Sequence, residues 1–191
     1  GFGYKISAVP FHMWTPDVYQ GAPSPVTGFM AAAVKTAAFA GMLRVFVVGF
    51  ASYADLWRPA VGALAIASLV VGAVMSVVQT NVKRMLAYSS IAHAGFVLLG
   101  VDAASAEGTA ASLFYLAAYT AMALGTFAVV TVVGGSGDGA HTLDAYRGLG
   151  RRRPGLALAM SLFLLAQAGT PVTIGFLAKL GVDWDPDKIV F

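Results

Sequence analysis

Cysteine is absent from the 191 residues, and charged residues are scarce, at 11%. The lack of thiols excludes disulfides, thiolate metal sites and iron–sulfur ligation within this chain. Soluble domains carry about 25% charged residues. The low charge and the 58% share of hydrophobic residues therefore predict a membrane protein.

Several sequence motifs of enzymes are also missing. The chain has no nucleotide-binding glycine loop, no zinc-ligand spacing and no Gly-x-Ser-x-Gly elbow. We therefore predict no hydrolytic, covalent or redox chemistry, and no bound metal, in this chain. The net charge of +3 does not indicate nucleic acid, because the basic residues flank apolar runs, where lipid headgroups are their neighbours.

Six apolar runs are long enough to be membrane segments. An α-helix rises 1.5 Å per residue, so about 20 residues cross a hydrocarbon core of ~30 Å. The predicted fold class is all-α, a polytopic transmembrane helical bundle with proline-broken helices. The segments are predicted at residues 1–20, 25–50, 59–80, 85–101, 109–134 and 156–180, with a short interfacial helix expected inside the polar stretch 135–155.

The expected domain organisation is simple. Residues 1–181 are interpreted as one transmembrane domain, and residues 182–191 as an atypical tail. The start of the chain has neither a basic n-region nor a cleavage site, so we predict no signal peptide. We expect the chain to be an internal piece of a longer subunit.

The first and last segments are predicted to be broken helices. Proline removes a backbone N–H and crowds the preceding turn, so Pro10 should break the first segment just after Lys5. Gly169 and Pro171 interrupt the last segment. Unpaired backbone is tolerated in a bilayer only where protein or water satisfies it. Both breaks therefore indicate functional sites.

The basic residues predict the orientation of the segments. They cluster near Lys83 and in stretch 135–155, whereas loop 102–108 has none, so the former two loops should face the cytoplasm. The two broken segments then run in opposite directions. Each carries the pattern G-F-x-x-K, ending at Lys5 and at Lys179. Broken helices of inverted orientation are typical of inverted-repeat transporters.

Three lysines are candidates for proton transfer: Lys5, Lys35 and Lys179. A lysine at membrane depth costs ~2.5–3.5 kcal/mol on insertion scales. Lys35 should lie about 15 Å into its helix, close to the midplane. Lys179 stays at depth only if its helix is tilted or unwound near Gly169. The alternative for each lysine is a packing role, paired with a carboxylate of a neighbouring helix.

The histidines give one further candidate. His93 is interpreted as a proton relay between lysines, because neutral imidazole both accepts and donates a proton; a structural histidine is the alternative. His12 either caps carbonyls freed by the break or lines an entry path. His141 is assigned no role. Lys83 and Arg84 are interpreted as interface anchors.

Three stretches, taken in order, carry a family resemblance. They are KISAVPFHMWTPDVYQGAPSPVTGFMAAAVKTAAFAGMLR, QTNVKRMLAYSSIAHAGF and AGTPVTIGFLAK. Over about residues 1–181 the chain resembles the antiporter-like membrane subunits of respiratory complex I, NADH:quinone oxidoreductase. The VYQGAP version of the first motif is most similar to chain N of the bacterial enzyme.

The resemblance implies a fold and a set of site residues. The subunit would contain two inverted helical repeats, and this chain would hold the end of one and most of the other. Lys5, Lys35 and Lys179 would lie on a hydrophilic axis with histidine and water. The glutamate partner of Lys5 would lie upstream.

The resemblance also implies a function. The subunit would couple quinone reduction to proton translocation without redox chemistry of its own, as part of a translocase. It would bind no cofactor, while other subunits hold NADH, quinone, FMN and iron–sulfur clusters. Its partners would be other membrane-arm subunits, lipid, protons and water in a bacterial inner membrane, with no nucleic acid.

Two other interpretations stay open. A subunit of a multisubunit sodium/proton antiporter or of a membrane-bound hydrogenase would share these motifs. A structural scaffold whose lysines only pair with acids is the interpretation from a different class.

Overall fold

The computed structural model describes residues 1–139 and 141–183. These residues form helices joined by turns, with one isolated β-bridge between Asn81 and Thr142. The predicted all-α, polytopic bundle is confirmed. Four helices are long and apolar enough to cross a membrane: Ser24–Gly49, Ala51–Val77, Val82–Asp102 and Ala106–Gly137.

The first segment is broken, and the break is longer than a proline kink. Helix α1 spans Phe2–Ile6 and helix α2 spans Trp14–Gly21. Ser7 ends α1 in a left-handed conformation with φ of 62°, so the helix stops before Pro10 is reached. In the unwound stretch the Val9 amide donates to Ser68 Oγ at 2.9 Å. Protein therefore satisfies part of the freed backbone.

The second segment is one long helix with two wide turns. It consists of α3 (Ser24–Phe29), a π-helical turn (Met30–Val34), α4 (Lys35–Leu43) and a second π-helical turn (Arg44–Gly49). We refer to Ser24–Gly49 as the Lys35 helix. π-helical turns are rare in proteins, and those that occur are often located at functional sites. The first one lies immediately before Lys35.

The third segment, predicted at residues 59–80, begins earlier than expected. A 3₁₀ turn at Ala51–Tyr53 leads directly into helix α5, Ala54–Val77. The buried Trp57 indole donates to the Phe50 carbonyl at 3.0 Å, which fixes this helix start. Pro59 lies inside α5, where near the N-terminus it costs only one hydrogen bond.

The next two helices begin earlier than predicted because side chains cap them. Helix α6 spans Val82–Asp102, and Asn81 accepts from the second and third backbone amides of its first turn. Helix α7 spans Ala106–Gly134, capped in the same way by Ser105. Such caps contribute roughly 1 kcal/mol each. α6 is the most buried of the four long helices.

The last segment contains the second predicted break. Short helix α8 (Leu149–Arg152) precedes α9 (Pro154–Ala168) and α10 (Ile174–Asp183). Gly169 ends α9 with φ of 81°, a conformation that glycine adopts without strain. A Cβ at Gly175 would overlap the Ala166 carbonyl, so α10 packs tightly against the end of α9. Residues 184–191 of the predicted tail lie outside the described residues.

Candidate functional site

Lys35 is the central side chain of the site. It is only 3% exposed, and its ammonium donates to both the carbonyl and the hydroxyl of Ser90, each at 2.8 Å. Ser90 lies two turns into α6. The Lys35 helix and α6 are therefore joined through one residue pair inside the membrane.

The acceptors around Lys35 are neutral. Across residues 1–139 and 141–183, no carboxylate lies within ion-pair distance of its ammonium. Tyr19 and Tyr119 also interact with the Ser90 side chain. The Ser90 hydroxyl itself donates to the Ala87 carbonyl at 2.8 Å.

His93 lies one turn beyond Ser90 on α6. It is 5% exposed, and its Nδ1 is 2.7 Å from the Tyr115 hydroxyl. Its ring centroid is 4.9 Å from that of Tyr119. Both Lys35 and Lys179 act on His93 electrostatically, so the histidine lies within range of the two lysines.

Lys179 is held by the second helix break. Its ammonium donates to the Ala168 carbonyl at 2.9 Å, a carbonyl near the end of α9 that has no helical partner. It also lies 4.9 Å from the centre of the Phe96 ring, a cation–π distance. A Cβ at Gly169 would lie 2.9 Å from the lysine stem. Glycine at the break therefore leaves room for Lys179.

A groove lies between His93 and Lys179. Its volume is about 690 Å³, and His93, Lys179 and Gln167 are among the polar side chains that line it. Gln167 donates to Thr126 Oγ1 at 2.7 Å. Polar groups thus continue from α6 across to α7 and α9. The rest of its lining is mostly apolar, so the polar side chains are confined to a few points of the groove.

Lys5 is separate from this group. Its side chain is exposed, at the end of α1. Within the described part of the chain its ammonium has no hydrogen-bonding or ion-pair partner. The structure therefore brings Lys35, His93 and Lys179 together, and places Lys5 on the surface.

The unwound stretch around Pro10 contains several polar atoms in need of partners. The Ser7 hydroxyl, the Thr15 hydroxyl and Nδ1 of His12 are buried and make no hydrogen bond within the described residues. The His12 Nδ1 atom therefore caps no carbonyl. Buried polar atoms of this kind are usually satisfied by water.

The interpretation of Lys83 as an interface anchor is wrong, because Lys83 is only 1% exposed. His141, to which the sequence assigned no role, is also buried, at 5% exposed. Both contact Asp138: Lys83 Nζ at 3.2 Å and His141 Nε2 at 2.8 Å. The Lys83–Asp138 pairing spans 55 residues, so local pattern could not show it, whereas His141 pairs with a carboxylate only three residues away. Arg84 fits the anchor role better, pairing at the surface with Asp17.

No group of three or more histidines, cysteines or carboxylates in the described residues could hold a metal ion. The site is instead a set of hydroxyl, imidazole and ammonium groups at the centre of a membrane bundle. Together with the two broken helices, these features define the class of antiporter-like membrane proteins. A family model described as NADH:quinone oxidoreductase/Mrp antiporter, TM, matches residues 1–183. The chain belongs to this family.

Individual relatives give the same result. NADH-quinone oxidoreductase subunit N 3 of Streptomyces griseus is 55% identical over 182 residues, which cover 95% of this chain and 33% of that protein. A chain in the structure of respiratory complex I from Thermus thermophilus with bound aureothin matches with a TM-score of 0.80 and 40% identity, over 95% of this chain and 39% of that one. The chain spans about a third of the length of the curated relatives it matches.

A more distant structure shares the fold. A chain of the Mrp complex from Dietzia matches with a TM-score of 0.88 at 23% identity, over 95% of this chain and 34% of that one. At this identity the likeness establishes the antiporter-like fold alone.

Proposed function

We propose that this chain is part of a proton-conducting membrane-arm subunit of a respiratory NADH:quinone oxidoreductase. In this role it carries no redox group. NADH, quinone, FMN and iron–sulfur clusters belong to other subunits of the complex. Its partners are neighbouring membrane-arm subunits, lipid, water and protons, in the inner membrane of a bacterium.

The observation that carries this proposal is the Lys35–Ser90 contact. An ammonium buried in a membrane is costly to keep, and here neutral oxygens are its acceptors. When the lysine gives up a proton, no unpaired buried carboxylate is left behind. A lysine in this setting is suited to exchange protons, whereas one held by a carboxylate is suited to stay charged.

His93 provides the next step in the proposed path. It lies one turn from Ser90 on the same helix and contacts the Tyr115 hydroxyl. A proton leaving Lys35 passes along the Ser90 hydroxyl and water to the imidazole. From His93 it continues through the groove to Lys179, whose position beside the α9–α10 break gives it access to water.

We also include Lys5 in the proposed proton path. Its exposed position matches a lysine whose partner comes from another part of the longer subunit. The buried unpartnered atoms of Ser7, His12 and Thr15 supply a place for water beside α1. We assign proton transfer at this break to Lys5 and that water.

Two alternatives are less well supported. An Mrp-type antiporter shares the fold at 23% identity, while a complex I subunit N relative reaches 55%. A structural scaffold would require paired lysines. Lys35 has no carboxylate partner in the described residues, which disfavours that role for it.

The test replaces Lys35 in the full-length subunit. Lys35→Ala should leave the complex assembled while proton pumping and quinone reductase activity fall by roughly 100-fold, the range for losing a proton-transfer group. Arg44→Met is the matched control, since Arg44 is an exposed cation of the same helix, and it should pump normally. Normal pumping by an assembled Lys35→Ala complex in vesicles would remove Lys35 from the mechanism.

A further inference from the structure

Asp138 accepts hydrogen bonds from two helix ends at once. Its Oδ2 accepts from the Ser24 amide at 2.8 Å and from the Lys83 ammonium at 3.2 Å. Its Oδ1 accepts from the Ser24 hydroxyl at 2.6 Å and contacts His141 Nε2 at 2.8 Å. We refer to Asp138, Ser24, Lys83 and His141 as the Asp138 clamp.

Each helix end needs this carboxylate for a physical reason. Ser24 is the first residue of the Lys35 helix, where free amides and the helix dipole favour a negative charge. Lys83 is the second residue of α6, where the same dipole disfavours its positive charge. Burial adds a desolvation cost, since Lys83 is 1% exposed. Asp138 offsets both effects with one charge.

The backbone of the same segment caps α6 as well. The His141 carbonyl accepts from the Val82 amide at 2.7 Å, and the Leu143 amide donates to the Thr80 carbonyl at 2.9 Å. The segment around Asp138 therefore holds the starts of the Lys35 helix and of α6 against each other. The Ala22 carbonyl lies between α2 and the Lys35 helix and accepts from the Lys83 ammonium at 2.5 Å. This bond adds a further link between the start of the Lys35 helix and the start of α6.

These two helices run in the same direction from the clamp and meet again at Lys35 and Ser90. At 1.5 Å per residue, Lys35 lies about 16 Å beyond Ser24, and Ser90 about 10 Å beyond Lys83. The two Lys35–Ser90 hydrogen bonds are both 2.8 Å long. A slip of about 1 Å between the helices would take them beyond hydrogen-bond distance.

We propose that Asp138 is a positioning residue for proton transfer: its carboxylate sets the axial register at which Lys35 meets Ser90. The inference rests on the proposed function of Lys35. Asp138 itself carries no proton along the path. It acts on the path only through the relative position of two helices.

The charge state of the clamp is consistent with a fixed anchor. Partial burial acts to raise the pKa of Asp138, but hydrogen bonds from Ser24, Lys83 and His141 outweigh burial and hold this pKa well below its ordinary value. The nearby Tyr146 hydroxyl has a pKa raised to about 12 by burial and by the Asp138 charge. The carboxylate therefore stays ionised at neutral pH.

The test is Asp138→Asn in the full subunit within the assembled complex. The amide keeps the size of the side chain but removes the charge that holds Lys83. We expect proton pumping to fall roughly tenfold to 100-fold, as for a misplacement of about 1 Å, and a structure of the variant complex to show Lys35 separated from Ser90. Asp144→Asn is the control, because Asp144 is an exposed carboxylate of the same loop that pairs only with exposed Arg147.

Each outcome decides the proposal. An assembled Asp138→Asn complex that pumps normally, or that pumps slowly with the Lys35–Ser90 contact intact, overturns it. If Asp138→Asn does not assemble, Ser24→Ala removes the 2.6 Å bond to Oδ1 and the 3.4 Å contact with His141 Nε2 but keeps the bond from the Ser24 amide. It should give a smaller loss with a lengthened Lys35–Ser90 contact; no change in either measurement overturns the inference. A defective Lys35→Ala with a normal Asp138→Asn rejects this inference alone, whereas a normal Lys35→Ala rejects the proposed function.

Discussion

Two lysines of this chain are buried to nearly the same degree but have different partners. Lys35 is 3% exposed and Lys83 is 1% exposed. Lys35 donates to the carbonyl and hydroxyl of Ser90. Lys83 donates to the Asp138 carboxylate and to the Ala22 carbonyl. Burial alone therefore does not separate a transfer group from a structural one.

The partner separates them. Removing the proton from a lysine paired with a carboxylate leaves that carboxylate without its cation, which is strongly unfavourable in a buried site. Removing it from a lysine bound to neutral oxygens leaves only a weaker hydrogen bond. We infer that Lys35 exchanges its proton and that Lys83 keeps its proton.

The largest effect is expected when Lys35 is given a carboxylate partner, as Lys83 has. Ser90→Asp in the full subunit should hold Lys35 as a permanent ion pair and lower proton pumping by roughly 100-fold, similar to loss of a transfer group. Pumping by reconstituted complex is the measurement. Ser90→Asn introduces a side chain of the same size as aspartate but without its charge, and it should retain far more activity. Equal defects in both variants would show that shape, not charge, controls Lys35.

The converse change removes Lys83. Lys83→Met leaves Asp138 without its cation, but this carboxylate is 27% exposed and keeps its bonds to Ser24. We expect the full-length subunit in micelles to lose about 1–2 kcal/mol of unfolding free energy, less than for a fully buried pair. Arg84→Met, which breaks a surface pair, should cost less. If Lys83→Met were fully stable and kept the Lys35–Ser90 contact yet could not pump, Lys83 would be a transfer group.

A smaller effect is expected at His93. His93→Gln keeps a polar side chain near Tyr115, and water in the groove offers a parallel route for the proton. We expect a several-fold fall in pumping, well short of the Lys35→Ala defect, with assembly unchanged. The pumping rate in vesicles measures this, and Ser89→Ala on the same groove is the control. A defect as large as that of Lys35→Ala would make His93 an obligatory carrier.

The smallest effect is the response of the Asp138 clamp to acid. Because the pKa of Asp138 is lowered in the folded chain, its contribution to stability is complete above the unfolded value of about 3.9 and is lost as the pH falls below it. Unfolding midpoints of wild type and Asp138→Asn should therefore differ by a constant amount from about pH 7 to pH 5 and converge in stronger acid. A difference that vanished already near neutral pH would contradict this assignment.

Much of the helical architecture could be predicted from the sequence. The apolar runs located every long helix, since a bilayer allows few alternatives to a continuous helix. The errors lie at helix ends. Pro59 was expected to start α5, but it is the sixth residue of that helix, which accommodates the loss of one hydrogen bond near its N-terminus. Pro10 was expected to end α1, although the left-handed turn at Ser7 already does so.

The candidate site could be predicted only in part. Lys35, His93 and Lys179 stood out because polar groups in apolar helices are conspicuous. Ser90 did not, because a serine in a membrane helix is ordinary until a lysine from another helix reaches it. Asp138 and His141 looked like loop residues, since 55 residues separate Asp138 from Lys83 along the chain. Contacts over such separations leave no periodic signal in the sequence.

The π-turn at Met30–Val34 has a consequence for rotation. A wide turn contains one more residue than an α-helical turn, and one residue corresponds to about 100° around the helix axis. Without it, Lys35 would point about 100° away from Ser90, although the helix would be equally apolar and almost equally long. The direction in which Lys35 points around the helix axis is therefore set by the π-helical turn that precedes it. A one-residue deletion in Met30–Val34 would turn the ammonium towards a different neighbour while leaving every side chain chemically intact.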